Sequence, residues 1–312
     1  RTLFNVSEEK DVEKIQTCED ANHPLLESIS EAEVTTALQH QKSKAASVSG
    51  FSPLDLRSIY SSISKPLSHI FTFFLQTSSF FQDWLSSAVF FIYKGKGSRE
   101  DPNCYRSICI QDPFAKVFST ILTSRLTSFA ENNELLPRFQ FGFRAKRSTS
   151  AAATLLHQLA ESRLKNSKRT YVAYVDFQKA FDRVRRPLLF YKLQLLGVPA
   201  RFCRILEFIF RSTRYFIKSG NFFTDHFQSN VGVPQGDPIS PILFNLFISD
   251  LPSYLSHDGV YLNDLRVHYI QYADDLCILG NSSEDLQRGL NDLQRYCDEN
   301  LIDINPMGPG LF

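Results

Sequence analysis

Paired cysteines are missing from this 312-residue chain. Its six cysteines (Cys18, Cys104, Cys109, Cys203, Cys277, Cys297) are scattered, none in a Cys-x-x-Cys pair and none with histidines at ligand spacing. That argues against a zinc site or a disulfide framework and suits a reducing intracellular compartment. No apolar run reaches membrane-spanning length, and the N-terminus lacks a charged-then-apolar signal pattern, so no membrane partner is expected. A large net charge is also lacking: the formal balance is +1. The overall pI therefore says little, because charge is segregated. Glu8, Glu9, Asp11, Glu13, Glu19, Asp20, Glu27, Glu31 and Glu33 make the start acidic, and later stretches are basic. With 43% hydrophobic and 21% charged residues the chain has core for one large domain or two smaller ones and does not read as disordered. It starts at Arg1 and ends in an irregular 306–312, which suggests a segment of a longer protein.

What is present is acid in a particular context. Tyr272-Ala273-Asp274-Asp275 lies between two apolar runs, 267–270 and 276–279, rich in β-branched, aromatic and aliphatic residues. This reads as a β-hairpin with acids at its tight connection. Acids on a hairpin tip usually mean only solvent exposure. A third acid has a matching context, however: residues 170–175 (TYVAYV) are nearly continuously apolar, read as a buried strand, and Asp176 stands at its end. Three carboxylates at neighbouring strand ends resist joint ionisation. A pair of divalent cations about 3.5–4 Å apart removes that penalty and serves in-line phosphoryl transfer; magnesium suits carboxylates plus substrate phosphates.

The rest of the chain supplies helices, strands and cations. A helix starts at Ser30 with acids in its first turn and runs to about Gln41, and 42–53 is a Ser/Gly/Lys loop. Residues 54–85 are helical and aromatic, their phenylalanines suited to core packing more than base stacking. Strands follow at 88–93 and 107–110, then helices at 113–130 and from about 151 to 166. The strand pair places Lys94 and Arg106 on one hairpin-like unit, as a clamp for a triphosphate or simply as a solvated basic loop. Between Arg138 and Arg169 there are eight Lys/Arg and one acid, Glu161. That imbalance, with Arg144, Lys146 and Arg147 at its centre, marks a phosphate-facing surface or a solvated face. Helices are read at 178–183, from Pro187 to Gly197, and from Pro199 to about Arg211, then a strand pair, 215–218 with 222–228. The Gly/Pro-rich loop 230–238 enters an apolar helix, 239–251; it reads as a close backbone approach to a ligand or as a linker.

Three series together resemble reverse transcriptases, above all those of non-LTR (long interspersed element type) retrotransposons. They are Asp176-Phe-Gln-Lys-Ala-Phe-Asp182, Gly232-Val-Pro-Gln-Gly-Asp-Pro-Ile-Ser-Pro241 with Leu243-Phe-Asn-Leu-Phe-Ile248, and Tyr272-Ala-Asp-Asp275. Tyr105-Arg-Ser-Ile108 and Gln140-Phe-Gly-Phe-Arg-Ala-Lys-Arg-Ser148 look like that family's finger motifs. The resemblance covers roughly residues 30–305. It implies an α+β, right-hand polymerase fold with fingers and palm, the palm a small antiparallel sheet backed by helices and the thumb largely absent. The division it implies is an acidic leader 1–29, fingers 30–169, palm 170–305 with some fingers elements between 183 and 230, and an irregular tail 306–312.

By the same resemblance the activity is RNA-directed DNA synthesis, with RNA template, DNA primer and dNTPs as partners, the element RNA held as a ribonucleoprotein, and the nucleus as workplace. Asp176 and Asp274 would bind two magnesium ions, or manganese in their place, with Asp275 auxiliary and the Phe177 carbonyl contributing. Lys94 and Arg106 match triphosphate-contacting positions, and Gln235 and Gly236 would border nucleotide and template. Phe181, five residues beyond the first aspartate, would lie beneath the incoming sugar and exclude a ribose hydroxyl. The chain departs from the family at Ser107, usually Pro, and after Asn305, where a basic residue followed by Thr or Ser is usual. Two other readings stand beside this one: a catalytically silent nucleic-acid-binding relic, and a group II intron type maturase and reverse transcriptase.

Overall fold

The first described helix begins where the acids predict it. Ser30 and Glu33 form a capping box, the Glu33 N–H donating to Ser30 Oγ (3.2 Å) and the Ser30 N–H to Glu33 Oε2 (2.9 Å). The computed structural model describes residues 23–42, 47, 49–95, 97–220 and 222–305. Most of the acidic leader and the whole 306–312 tail thus lie outside the described residues. Within them the chain runs α1 (Glu31–Gln39), α2 (Pro53–Ser58), α3 (Tyr60–Thr77), β1 (Ser86–Tyr93), β2 (Tyr105–Gln111), α4 (Pro113–Asn132), α5 (Thr149–Lys165), β3 (Tyr171–Asp176), α6 (Ala180–Arg183), α7 (Arg186–Leu195), α8 (Ala200–Ser212), β4 (Arg214–Ser219), β5 (Phe222–Phe223), α9 (Ser240–Phe247), α10 (Leu251–Tyr254), β6 (Val260–Leu262), β7 (Leu265–Val267), β8 (Tyr269–Tyr272), β9 (Asp275–Gly280) and α11 (Ser283–Asn300). The described residues fall into two compact units, one within 23–132 and 186–240, the other within 133–185 and 241–305. This spatial partition is drawn on different grounds from the fingers-and-palm division.

The first unit carries a sheet of order β2-β1-β4-β5. β1 and β2 pair antiparallel from Ser87↔Gln111 to Tyr93↔Tyr105, as their apolar runs predict, and β4 joins β1 in parallel. The predicted helical stretch 54–85 is broken at Ile59 and at Ser78, which takes a left-handed conformation (φ 52°). Phe71, Phe74 and Phe80 of this stretch are core while Phe73 and Phe81 are exposed; Phe71 lies 5.1 Å from buried Phe118 of α4, and Trp84 stacks on Phe114 at 4.6 Å. The strand expected over 222–228 shrinks to Phe222–Phe223, with one further bridge, Tyr215↔Phe227. Buried Arg186 pins the chain before the Gly/Pro loop by donating to the carbonyls of Gly232 (2.8 Å), Ser229 (2.5 Å), Val231 (3.3 Å) and Phe210 (3.1 Å).

The second unit carries the acids. Its three-stranded antiparallel sheet has the order β3-β9-β8. Leu159 of α5 packs with Val260, Val267, Ile270, Cys277 and Leu279 in one apolar cluster. The run 170–175 is not buried on both faces as expected: Ala173 and Val175 are buried on one face of β3 while Tyr174 on the other is exposed. The hairpin β6–β7, turning at Asn263 (φ 53°), went unpredicted. The helix expected over 239–251 divides into α9 and α10, the latter with a proline in its first turn.

Candidate active site

Strand register brings two of the acids together. Asp176 at the end of β3 pairs directly with Asp275 at the start of β9, and Tyr272↔Asp275 closes the β8–β9 hairpin around Ala273-Asp274. Directly opposed residues in an antiparallel pair have Cβ atoms about 4.5–5.5 Å apart on one face. The Asp275 carboxyl is accordingly pushed above the usual carboxylate range, by desolvation first and by the charge of Asp176 second. An acid whose value is raised on folding weakens the fold when ionised; that penalty is complete above the folded-state value and vanishes below the unfolded one, about 3.9. Hence Asp275→Asn raises the thermal midpoint at pH 7 in metal-free buffer, and the gain disappears as pH falls toward 4. A midpoint lowered by the substitution at pH 7 would contradict the assigned repulsion.

Asp176 is held from its other side. Asn305 donates its backbone N–H to the Asp176 carbonyl (2.8 Å) and its amide Nδ2 to Asp176 Oδ2 (2.9 Å). The Gln178 N–H donates to Asp303 O (2.8 Å), and Arg183 forms an ion pair with Asp303. These bonds flank the bridge Phe177↔Ile304. In such a non-hydrogen-bonded pair the Phe177 carbonyl points away from Ile304, towards the side of β9.

The turn itself is strained and braced. Ala273 sits at φ 57°, a left-handed conformation that costs a non-glycine residue about 1–2 kcal/mol. Gln140, 1% exposed, supplies the support: its Oε1 accepts from the Ala273 N–H (3.0 Å) and from the Gly142 N–H (2.7 Å). Gln271 Nε2 donates to the Ala273 carbonyl (3.0 Å). Residues 139–141 run beside β8, with Phe141 N–H to Gln271 O (2.8 Å) and Gln271 N–H to Phe139 O (2.9 Å). Gly142 is required there, since a Cβ would fall 2.3 Å from the Ala273 nitrogen. Buried Asn245 of α9 donates to the Gly142 carbonyl (2.9 Å).

Gln140, Asn245 and Asn305 are the positioning residues that sequence reasoning missed. Gln140 and Asn245 lie within the motifs that carry the family resemblance, without a role assigned to either, and Gly142 between two phenylalanines signalled a close backbone approach. Removing a partner from two buried backbone donors costs about 1–3 kcal/mol. Gln140→Ala therefore lowers the thermal midpoint, with Gln140→Glu, which keeps an acceptor oxygen in place, restoring part of the loss. An unchanged midpoint in the alanine variant would contradict the bracing.

The other anticipated residues fall as follows. Phe181 on α6 stacks on Phe244 of α9 (4.8 Å, 23°) and meets the exposed Phe143 edge-on (6.4 Å); it is only partly exposed. Arg106 pairs across from Ile92, and Lys94 N–H continues the ladder to Cys104 O (2.8 Å). Residues two apart and cross-strand partners share a face, so Lys94 and Arg106 stand side by side. The Gln235 carbonyl accepts from the Cys109 N–H (2.7 Å). Gly236, at φ 106°, touches Cys109 so closely that a Cβ would come 2.6 Å from its carbonyl oxygen. The next residue, Asp237, is buried and accepts from Gln111 Nε2 (2.6 Å), Ser119 Oγ and the Ile239 N–H (3.2 Å); burial raises its carboxyl. Arg144 bonds the carbonyls of Pro137 (2.7 Å) and Leu136 (3.4 Å), Arg147 bonds that of Arg138 and covers the Phe141 ring, and Lys146 is exposed.

Among the described residues no three His, Cys, Asp or Glu side chains converge as a ready-made metal cluster. The donor set is a carboxylate pair with a third acid on the turn. That fits magnesium, which takes one or two carboxylates and completes its shell with water and substrate phosphates.

A small antiparallel sheet with paired acids at one end and a helix-flanked core belongs to a class of nucleotide polymerases. Residues 92–307 match the model of the family described as reverse transcriptase (RNA-dependent DNA polymerase), and the chain belongs to that family. Among its relatives, a probable RNA-directed DNA polymerase from transposon BS of Drosophila melanogaster is 27% identical over 247 residues, covering 77% of this chain and 27% of that protein. The RNA-directed DNA polymerase from mobile element jockey of the same species is 28% identical over 237 residues, 74% of this chain and 25% of the relative. The chain thus spans about a quarter of the length of these curated relatives. In fold it resembles telomerase from Candida albicans, solved with a fragment of telomeric RNA, at a TM-score of 0.51 and 14% identity over 73% of this chain and 42% of that one. The fold is the right-hand polymerase fold, as the sequence motifs imply, and reverse transcriptases generally act with divalent metals.

Proposed function

We propose that this chain is the polymerase segment of a non-LTR retrotransposon protein and copies RNA into DNA by two-metal nucleotidyl transfer. The observation that carries the reading is the direct pairing of Asp176 with Asp275 beside the braced turn that presents Asp274. Asp176, Asp274, Asp275 and the Phe177 carbonyl would hold two magnesium ions, or manganese, which neutralise charge at the attacking and leaving oxygens of an in-line displacement.

The chain's own groups do the positioning. Asn305 fixes the Asp176 carboxylate, and Gln140 with Gln271 fixes the backbone between Tyr272 and Asp275. Preorganised groups of this kind lower a barrier because no reorganisation is needed during reaction. Lys94 and Arg106 take triphosphate oxygens, where charge-assisted bonds are strong. Gln235 and Gly236 border the nucleotide and template, and the Phe181 ring, braced by Phe244, underlies the incoming sugar. Arg144, Lys146 and Arg147 face nucleic acid phosphates, and the working element acts in the nucleus as a ribonucleoprotein with its own RNA. The intact carboxylates favour this reading over a silent binding relic. Primer extension on an RNA template with dNTPs and magnesium tests it; folded, template-bound protein that adds no nucleotide would refute it.

A further inference from the structure

We propose that a cleft at the opposite end of the β3-β9-β8 sheet from the acids binds the phosphate backbone of single-stranded nucleic acid. The cleft has a volume of about 570 Å³ and is lined by Arg163, Asn166, Lys168, Arg169, Tyr261 and Asn281, among others. The pair Tyr171↔Gly280 marks this end of the sheet and Asp176↔Asp275 the other. Five residues of strand put about 17 Å between them.

The cations are brought together by how α5 ends. Ser167 takes a left-handed conformation (φ 55°), and Ser167 and Lys168 donate their N–H groups back to Leu164 O and Arg163 O (both 2.9 Å), a helix stop that folds the chain over its last turn. Lys168 and Arg169 thereby come beside Arg163. The Arg163 guanidinium is fixed by its bonds to Arg169 O (Nε, 2.9 Å) and Asn281 O (Nη2, 3.3 Å), and its Nη1 has no partner among the described residues. Nor does any described carboxylate form an ion pair with Arg163, Lys168 or Arg169; Glu161 pairs with Lys165 instead (3.2 Å).

Three uncompensated cations, one of them a preoriented planar fork, suit consecutive phosphates. The cleft is larger than one phosphate needs, and Tyr261, 52% exposed, offers a ring for a base. Cationic groove with aromatic platform is the chemistry of single-strand binding.

The test uses the whole chain, saturated with an RNA–DNA template–primer duplex in EDTA, and a labelled 12-nucleotide RNA followed by fluorescence anisotropy. The duplex separates this site from the polymerase reading, which the assay does not need. Lys168→Glu/Arg169→Glu should weaken the second strand about tenfold or more at 50 mM salt and flatten its salt dependence by about 1.4, the slope of two lost phosphate contacts. Duplex binding should stay unchanged. Tyr261→Ala should weaken the RNA without altering that slope, and it decides the matter if the charge-reversed chain has a lowered thermal midpoint. Unchanged RNA affinity in these variants would overturn the proposal. So would joint loss of duplex binding, or displacement of the RNA by polyglutamate at equal charge concentration.

Discussion

Asp176→Asn lowers RNA-templated nucleotide addition at least about 10³-fold, some 4 kcal/mol of transition-state stabilisation. The substitution keeps size and shape and leaves the backbone bond from Asn305 intact. What it removes is one negative charge from the pair facing Asp275. Two consequences separate this from damage to the fold. In metal-free buffer the variant is no less stable than the unaltered chain at pH 7, because like-charge repulsion with Asp275 is gone. Magnesium then raises its thermal midpoint less than it raises that of the unaltered chain, because ligand-linked stabilisation follows affinity. A variant that loses activity but keeps the full magnesium response would place the metal elsewhere.

Phe181→Val admits ribonucleotides. The aromatic ring stacks on Phe244 and meets Phe143 edge-on, so it is held on two sides and cannot easily yield to a 2′-hydroxyl. Rejection through such a wall is worth on the order of 100-fold, the range for an apolar pocket discriminating small steric differences. Removing the ring leaves the smaller Val side chain and lifts that barrier, so the ratio of kcat/KM for dNTP over rNTP falls by about that factor. The dNTP value itself changes little, since the braces are on α9 and residue 143 and not on the acids. Discrimination unchanged in the variant, measured by single-nucleotide addition, would assign Phe181 to the core alone.

Much of this site was legible in the sequence because its parts are local. Asp176 after an apolar strand, and Asp274-Asp275 within a hairpin, are patterns a few residues long. The register that sets Asp176 opposite Asp275 is not, as it joins strands about a hundred residues apart. Gln140 was invisible for the same reason: its partner Ala273 lies 133 residues away. The continuous apolar run of β3 misled because an apolar residue can also stand on a face the fold leaves uncovered, as Tyr174 does. Residues 138–169 read as one basic surface, and along it Arg144 and Arg147 are anchored to local carbonyls while Arg163, Lys168 and Arg169 line a cleft that no local pattern announces.

The most direct measurement is addition of dNTPs to a DNA primer annealed to RNA, in magnesium, by the unaltered chain beside its Asp274→Asn variant. Template-directed extension that fails in the variant and in EDTA is the result predicted from the paired acids and the braced turn. Extension of equal rate in both proteins would contradict it, as the chemistry would then not run through the β8–β9 hairpin.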